Sequence, residues 1–203
     1  MDIISYAMGK QSAGSGGNYE NKEVEITTNT ETTITPSDGY DALSSVKVTT
    51  NVPSVNINDY FDSTIANDSG YAYTTIKKMP SISFNNYDNI SYSFSRWSKL
   101  KEIEEIKGTQ NTTNMNNMFA YCTSLEKVPV FSWASATNLS SMFTNCNSLS
   151  DESLNNIMYM CINATSYTGT KTLYALSVPS TKRSRCPNLS NYQAFLDAGW
   201  TLS

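Results

Sequence analysis

A string near the middle of the chain occurs twice. Residues 117–125 read NMFAYCTSL and residues 141–149 read SMFTNCNSL, so Met, Phe, Cys, Ser and Leu recur in one register. A separate apolar column, formed by Met79, Ile103 and Val128, recurs with nearly the same offset. The period is 24 or 25 residues. A constant period of this length is typical of repeats that stack, because one repeat alone cannot bury its apolar face. Residues 54–203 are therefore predicted to form a short repeat solenoid.

Each repeat is predicted to contain a short helix or 3₁₀ turn followed by a strand. Met115, Met118 and Phe119 have helical spacing, which would place them on one face. A strand is expected near residues 125–130, and the period fits a leucine-rich repeat with one strand and one helix. The side chains expected to lie in the core of this repeat are Leu125, Val128, Val130 and Trp133, with Phe84 at the place of Trp133 in an earlier repeat.

Two segments precede the repeats. Residues 1–20 contain a short apolar stretch and the sequence SAGSGG, and they are predicted to form an anchor and a flexible linker. Residues 21–53 alternate apolar and polar side chains in three short runs, which predicts three strands of a small β-module. The runs lie at Val24 and Ile26, at Thr32 and Ile34, and at Val46, Val48 and Thr50.

The C-terminal part is predicted to close the solenoid with helices. An amphipathic pattern predicts a helix from Ser150 to about Ala164. Ser190 and Gln193 have the spacing of a capping box for a last short helix, and Gly199 stands where that helix would stop. The side chains expected to cover the last repeat are Tyr192, Phe195, Leu196 and Trp200. The predicted fold is thus an α+β repeat, with a small N-terminal β-module followed by a short leucine-rich-repeat solenoid and a helical C-terminal cap.

The composition disfavours several functions. The chain has no histidine, which removes Ser-His-Asp and Cys-His nucleophile systems and histidine metal sites. Its net charge of −4, without long runs of one sign, disfavours nucleic-acid binding. It has no apolar stretch of about 18 residues or more, so membrane insertion is not expected. Asn, Ser and Thr supply 74 of the 203 residues, which leaves few groups for acid–base chemistry.

The remaining reactive side chains favour structural roles. Glutamates at 102, 104 and 105 alternate with lysines at 99, 101 and 107, which favours solvated ion pairs over a catalytic or calcium site. The four cysteines form no C-x-x-C pair. Cys122 and Cys146 would come close on adjacent repeats, and inward packing as thiols is favoured over a disulfide. No catalytic residue, metal site or cofactor is predicted, and the chain is not expected to be an enzyme.

The repeat resembles a known family. Residues 114–125, NMNNMFAYCTSL, and their copy from Asn138 resemble the BspA-type leucine-rich repeat, whose hallmark is the string N-M-x-x-M-F-x-x-C-x-S-L. That family occurs in bacterial surface proteins and in proteins of bacteriophages that infect low-GC Gram-positive and gut bacteria. Residues 22–52 and the opening 2–17 are similar to a module and tether found near the N-terminus of phage tail and fibre proteins, and residues 189–200 are similar to the end of phage-encoded members.

The resemblance implies a bacteriophage virion protein of the tail or fibre, whose repeat tip binds a glycan or protein on the host cell surface. It also implies that Ile3, Ile4 and Tyr6 anchor the chain to other virion proteins. Fibres of this kind are often trimers, so a homo-oligomer is one expectation. Two alternatives stay open. One is a purely structural decoration of the head or tail, and the other is a bacterial surface adhesin, against which the lack of a visible export signal argues.

Tyrosine and asparagine side chains supply the predicted recognition surface. Both residue types contact glycans and proteins at low entropic cost, through ring faces and paired amide hydrogen bonds. The residues predicted to be exposed and available are Tyr71, Tyr73, Asn85, Asn86, Tyr87, Tyr92, Arg96, Tyr121, Asn145 and Asn147.

Overall fold

The computed structural model describes residues 23–28, 43–49, 78–84 and 87–203. The strands are β1 (Glu23–Thr28), β2 (Leu43–Thr49), β3 (Lys78–Ser83) and β4 (Glu102–Lys107). The helices are α1 (Asp151–Ile162), α2 (Ser180–Arg183) and α3 (Tyr192–Asp197), with a single 3₁₀ turn at Cys186–Asn188 between the last two. The predicted anchor residues Ile3, Ile4 and Tyr6 lie outside the described residues.

The four strands form one sheet in the order β1-β2-β3-β4. β1 and β2 are antiparallel and coincide with the first and third strands predicted from the alternating pattern, whereas the run at Thr32 and Ile34 lies outside the described residues. β2 and β3 pair in parallel, and so do β3 and β4. In the last pair Met79 lies opposite Ile103, which is one step of the apolar column.

Three further segments recur with the same repeat period. We call residues 91–96, 116–121 and 140–145 the turn segments. In the first two turn segments, every second N–H group donates to a carbonyl of the next turn segment, as in Phe94 N to Met118 O at 2.9 Å and Phe119 N to Met142 O at 3.0 Å. The N–H groups between them bond to a carbonyl three residues before, as in Ala120 N to Asn117 O at 3.1 Å. This alternation satisfies the backbone of consecutive tight turns.

Of the two elements predicted before each strand, a short helix or a 3₁₀ turn, the turn segments contain turns and no helix. Two positions in every turn segment have left-handed backbone. The first column comprises Tyr92, Asn117 and Ser141, with φ of 61°, 54° and 56°, and the second column comprises Arg96, Tyr121 and Asn145, with φ of 70°, 65° and 59°. A left-handed residue every fourth position prevents a right-handed helix from continuing. Met115, Met118 and Phe119 nevertheless all lie in the core, as their spacing indicated.

The strand predicted near residues 125–130 was wrong. Only an isolated bridge, between Glu102 and Lys127, links this stretch to β4. On its other side, side chains of α1 take the place of a neighbouring strand: Ser153 Oγ accepts from Val128 N at 2.8 Å, and Asn156 Nδ2 donates to Val128 O at 3.0 Å. Val130, expected to point inward, is 47% exposed. Side-chain partners do not impose strand pairing, so the stretch remains irregular.

A stack of phenylalanine rings runs through the core beneath the turn segments. The ring centroids of Phe94 and Phe119 are 5.6 Å apart, as are those of Phe119 and Phe143, and the planes are nearly parallel. Trp133 and Phe84 are buried, as predicted. One buried ring per repeat gives each interface a large apolar contribution, since fully burying a phenylalanine stabilises by roughly 1.5–3 kcal/mol.

The four cysteines are all buried and free. The thiol of Cys122 donates to Phe94 O at 2.9 Å, and that of Cys146 donates to Phe119 O at 3.0 Å. Each thiol therefore bonds to the preceding repeat, which confirms that these two residues pack inward rather than form a disulfide. Burial raises the pKa of Cys146 to about 12.

The C-terminal elements cover the last turn segment. α1 begins after Ser150, whose side chain accepts from Ser153 N, close to the predicted start. The predicted capping box of Ser190 and Gln193 was wrong, because Ser190 Oγ bonds instead to Asn155 Oδ1 at 3.1 Å and α3 has no side-chain cap. Gly199, at φ +83°, ends α3 in the left-handed conformation that glycine adopts without strain. Of the predicted covering residues, Phe195 and Trp200 are buried, and Tyr192 and Leu196 are partly buried.

Candidate functional site

The left-handed residues of the turn segments form one array of side chains, which we call the turn face. It comprises Tyr92, Arg96, Asn117, Tyr121, Ser141 and Asn145. Each left-handed position recurs once per repeat, so the first and second columns run side by side across the three turn segments. Beneath them, the rings of the phenylalanine stack have centroids 5.6 Å apart.

Both tyrosines of the turn face are well exposed. Tyr92 is 47% exposed and Tyr121 is 45% exposed, so each ring presents a large part of its surface to solvent. Arg96 and Asn145 are also exposed, whereas Asn117 and Ser141 are half-buried. The face thus offers aromatic, amide and hydroxyl groups together.

Contacts between successive repeats hold these side chains in place. Asn117 Nδ2 donates to the hydroxyl of Tyr92 at 3.2 Å and also to Asn116 Oδ1 at 2.9 Å. The guanidinium carbon of Arg96 lies 5.4 Å from the ring centroid of Tyr121, a cation–π distance. Each tyrosine is therefore braced by a residue of the neighbouring turn segment. A braced side chain loses less rotamer freedom when it meets a ligand.

The backbone conformation under these residues is costly for most side chains. Left-handed backbone costs an L-residue roughly 1–2 kcal/mol, and asparagine tolerates it best after glycine. Asn117 and Asn145 fit this preference, whereas Tyr92, Arg96 and Tyr121 do not. Strained conformations of this kind cluster at functional sites. The two tyrosines and the arginine are thus the unusual occupants of the turn face.

The turn face carries almost no charge. The three stretches 89–98, 114–123 and 138–147 contain no aspartate or glutamate, and their only basic residue is Arg96. Charged residues of the repeats lie elsewhere and pair across repeats, as Lys127 does with Glu102 at 3.5 Å and Lys101 with Glu126 at 3.5 Å. The turn face is therefore suited to an uncharged or sparsely charged ligand.

The structure brings together four of the residues predicted for recognition: Tyr92, Arg96, Tyr121 and Asn145. Asn147 is exposed beyond Asn145, and its N–H donates to the carbonyl of Asn145 at 2.9 Å. The other predicted recognition residues Tyr71, Tyr73, Asn85 and Asn86 lie outside the described residues.

Tyr87 was wrongly predicted to be exposed. It is only 3% exposed and belongs to the core. Its N–H donates to Phe84 O at 3.1 Å, and its carbonyl accepts from the hydroxyl of Thr112 at 2.6 Å. The polar neighbours of Tyr87 in the sequence suggested a surface position, but these contacts fold the residue back beside the buried Phe84.

Sequence reasoning missed Asn117 and Ser141 as members of the turn face. The signal was present, because both residues keep the register of the repeat with Tyr92. It also missed Tyr174, which is 68% exposed and lies 5.2 Å below the guanidinium carbon of Arg183. Tyr174 is outside the turn face and has ordinary backbone, so it provides a comparison for the two tyrosines that belong to it.

Other reactive groups do not converge on a chemical site. Within the described ranges, no three Cys, Asp or Glu side chains are close enough to hold a metal ion. Burial is also the main cause that raises the pKa of the Cys186 thiol to about 11. Of the basic residues near 182–185, Arg185 pairs with Asp151 at 2.6 Å and Arg183 donates to Leu202 O at 2.7 Å.

The chain matches no protein-family model, no curated protein and no solved structure at a significant level. Over the residues that the structure covers, none of the helices combines the length and the apolar character needed to cross a membrane.

Proposed function

We propose that this chain is a structural protein of a bacteriophage virion, a tail or fibre component whose leucine-rich-repeat tip binds the surface of the host cell. The observation that supports binding to the host cell is the turn face. It is an exposed array of aromatic, amide and hydroxyl groups, set on a backbone conformation that is costly for its tyrosines and its arginine. The virion half is supported by the resemblance of residues 2–17, 22–52 and 114–149 to phage-encoded proteins.

Binding, rather than catalysis, fits the groups that are present. The turn face contains no acid, and its only ionisable groups are the tyrosine hydroxyls and Arg96. The buried thiols are held protonated by desolvation. A shallow surface of weak polar contacts gains strength when many copies act together, because linked sites raise each other's effective concentration. A virion that carries several copies of the chain would supply that multivalency.

The binding half is tested with the fluorescently labelled full chain on a panel of low-GC Gram-positive and gut bacteria. We expect saturable binding to some strains, and a large loss of binding in the double variant Tyr92→Asn with Tyr121→Asn. The control is Tyr174→Asn, which removes an exposed tyrosine that is not a member of the turn face and should bind like the parent. Absence of binding to every strain would contradict the proposal.

The virion half is tested by immunogold labelling of particles from a phage whose genome encodes the chain. We expect label at the tail tip or at fibres. Label on the head surface alone would favour the purely structural decoration, and label on uninfected bacterial cells would favour the surface adhesin.

A further inference from the structure

We infer that the ligand of the turn face is a linear polysaccharide, neutral or with only isolated acidic groups, which lies along the two columns of left-handed residues. This inference rests on the proposed function, since it names the class of molecule bound by the same surface. Four properties of the turn face support it: the residues at equivalent positions, the small apolar area they expose, their spacing and their charge.

Equivalent positions show that residues other than tyrosine adopt the same backbone conformation in this chain. The first column holds Tyr92, Asn117 and Ser141, and the second holds Arg96, Tyr121 and Asn145, all at similar φ. Asparagine therefore satisfies the backbone at both columns within this same chain, at a lower cost than tyrosine. Tyr92 and Tyr121 replace the better-suited residue with an exposed ring. A binding role accounts for that replacement, since the buried phenylalanine beneath each segment already supplies the packing.

The exposed apolar area argues against a protein partner. Protein interfaces are built around a contiguous apolar centre with anchors that fill pockets. Among side chains that the structure describes, the exposed large hydrophobic residues are Tyr92, Tyr121, Val130, Tyr159 and Tyr174. Only the first two belong to the turn face, and amides and hydroxyls surround them. Sugars match this pattern, because their C–H faces stack on aromatic rings while their hydroxyl groups pair with amide and hydroxyl side chains.

The spacing fits an extended polymer. Neighbouring turn segments are joined directly by backbone hydrogen bonds, as from Phe94 N to Met118 O at 2.9 Å, which places them at about the spacing of paired strands, roughly 5 Å. Each column therefore presents one side chain per repeat at a short, regular interval. A polymer along the first column would meet Tyr92, Asn117 and Ser141, and one along the second column would meet Arg96, Tyr121 and Asn145. Either polymer would therefore contact all three turn segments at once, which a single sugar could not do.

The charge of the face limits the polymer further. Arg96 is the only charged side chain in the three stretches that carry the face, and it is already stacked on Tyr121. One guanidinium can pair with an occasional carboxylate or phosphate. A dense polyanion would need several cations, and binding to it would weaken steeply with salt. We therefore expect binding that changes little with ionic strength.

The test uses the full chain and a panel of immobilised purified polysaccharides: dextran, yeast mannan, a β-glucan, and bacterial capsular polysaccharides of neutral and acidic types. We expect binding to at least one neutral or weakly acidic polymer. Tyr92→Asn and Tyr121→Asn should each weaken that binding about tenfold or more, while the urea midpoint stays close to that of the parent. Tyr174→Asn should change neither quantity. Equal losses in the turn-face variants and in Tyr174→Asn would overturn the assignment of the site.

A second arm uses host cells treated with periodate, which destroys vicinal diols, or with proteinase. Binding that is lost after periodate and kept after proteinase supports a polysaccharide, and the reverse pattern overturns it in favour of a protein receptor while leaving the proposed function intact. Binding to a purified polysaccharide without binding to any cell would support the inference and contradict the proposed host-surface role. Binding to neither polysaccharides nor cells would overturn both.

Discussion

Tyr121 and Asn145 occupy the same left-handed position of successive turn segments, with φ of 65° and 59°. The two side chains have different conformational preferences on an almost identical backbone. The chain thus contains its own comparison of a residue suited to the turn with one that is not. Because Tyr121 is 45% exposed, core packing does not explain its presence.

Replacing Tyr121 by asparagine should leave the fold intact. The variant Tyr121→Asn gains the better left-handed preference and loses the cation–π contact with Arg96, which is worth about 0.5–1 kcal/mol at an exposed site. We expect the free energy of unfolding to stay within about 1 kcal/mol of the parent in urea titrations. The matched variant Tyr121→Val places a β-branched residue at the same φ and should destabilise by roughly 1–3 kcal/mol. Equal stabilities of the two variants would show that φ at this position does not limit the choice of residue.

Phe119 should be among the most sensitive core positions. It is fully buried and stacks on both Phe94 and Phe143. Phe119→Ala is expected to lower the free energy of unfolding by about 3–5 kcal/mol, because it leaves a cavity between two repeats. Val130→Ala serves as the control and should change stability by less than about 0.5 kcal/mol, since Val130 is 47% exposed. A large effect at Val130 would instead favour the inward-facing strand predicted from sequence.

Replacing Ser153 should lower the free energy of unfolding by more than the small size of its side chain suggests. It is buried, and its hydroxyl donates to Glu126 O at 2.8 Å while accepting from Val128 N at 2.8 Å. Ser153→Ala would leave both backbone groups without this partner, at a cost of about 1–3 kcal/mol measured by thermal or urea unfolding. Ser184→Ala, on the exposed α2 end, is the control and should be nearly neutral. A neutral Ser153→Ala would mean that the two bonds of this hydroxyl do not stabilise the irregular stretch.

Because its cysteine thiols are buried, we expect the folded chain to lose stability at alkaline pH. Burial raises the pKa of Cys146 from 9.0 to about 12. Above pH 9 the thiol ionises in the unfolded chain but stays protonated in the folded chain, so the unfolded state binds fewer protons and stability falls as pH rises. The contribution is fully present below pH 9 and is lost between pH 9 and about 12.

The measurement compares the parent with Cys146→Ala in urea titrations at pH 7.5, 9 and 10. The substitution should lower the free energy of unfolding by less at pH 10 than at pH 7.5. At pH 10 the thiol is ionised in the unfolded parent, so the parent has already lost part of the stability that the protonated thiol contributes. A cost that does not change with pH would contradict the raised pKa of Cys146. The thiol should also resist alkylation by iodoacetamide at pH 8 until urea unfolds the chain.

Several members of the turn face could be anticipated from the sequence because they interrupt a regular pattern. Tyr121 and Asn145 each lie between a buried Phe and a buried Cys, and Arg96 lies between the buried Phe94 and Trp97 at the equivalent position. Tyr92 lies between the buried Ile90 and Phe94, so the exposure of all four residues follows from the period.

Tyr87 shows where this reasoning fails. It lies at the position that Thr112 and Ala136 occupy in the later repeats, and all three residues are buried. Each of their N–H groups donates to the carbonyl three residues before, so the burial of Tyr87 follows a register that the recurring Met, Phe and Cys string does not include.

The sequence by itself determined the spacing of the repeats, the β3–β4 register and the phenylalanine stack, because side-chain burial recurs with the period of the chain. Only the tertiary structure decided the backbone conformation between the buried positions. Left-handed residues prevent a helix in the turn segments, although Met115, Met118 and Phe119 have helical spacing. Side chains of α1 bond the backbone near Val128 in place of a neighbouring strand. A hydrophobic pattern records which side chains are buried, whereas the partner of each backbone group depends on what the rest of the chain places beside it.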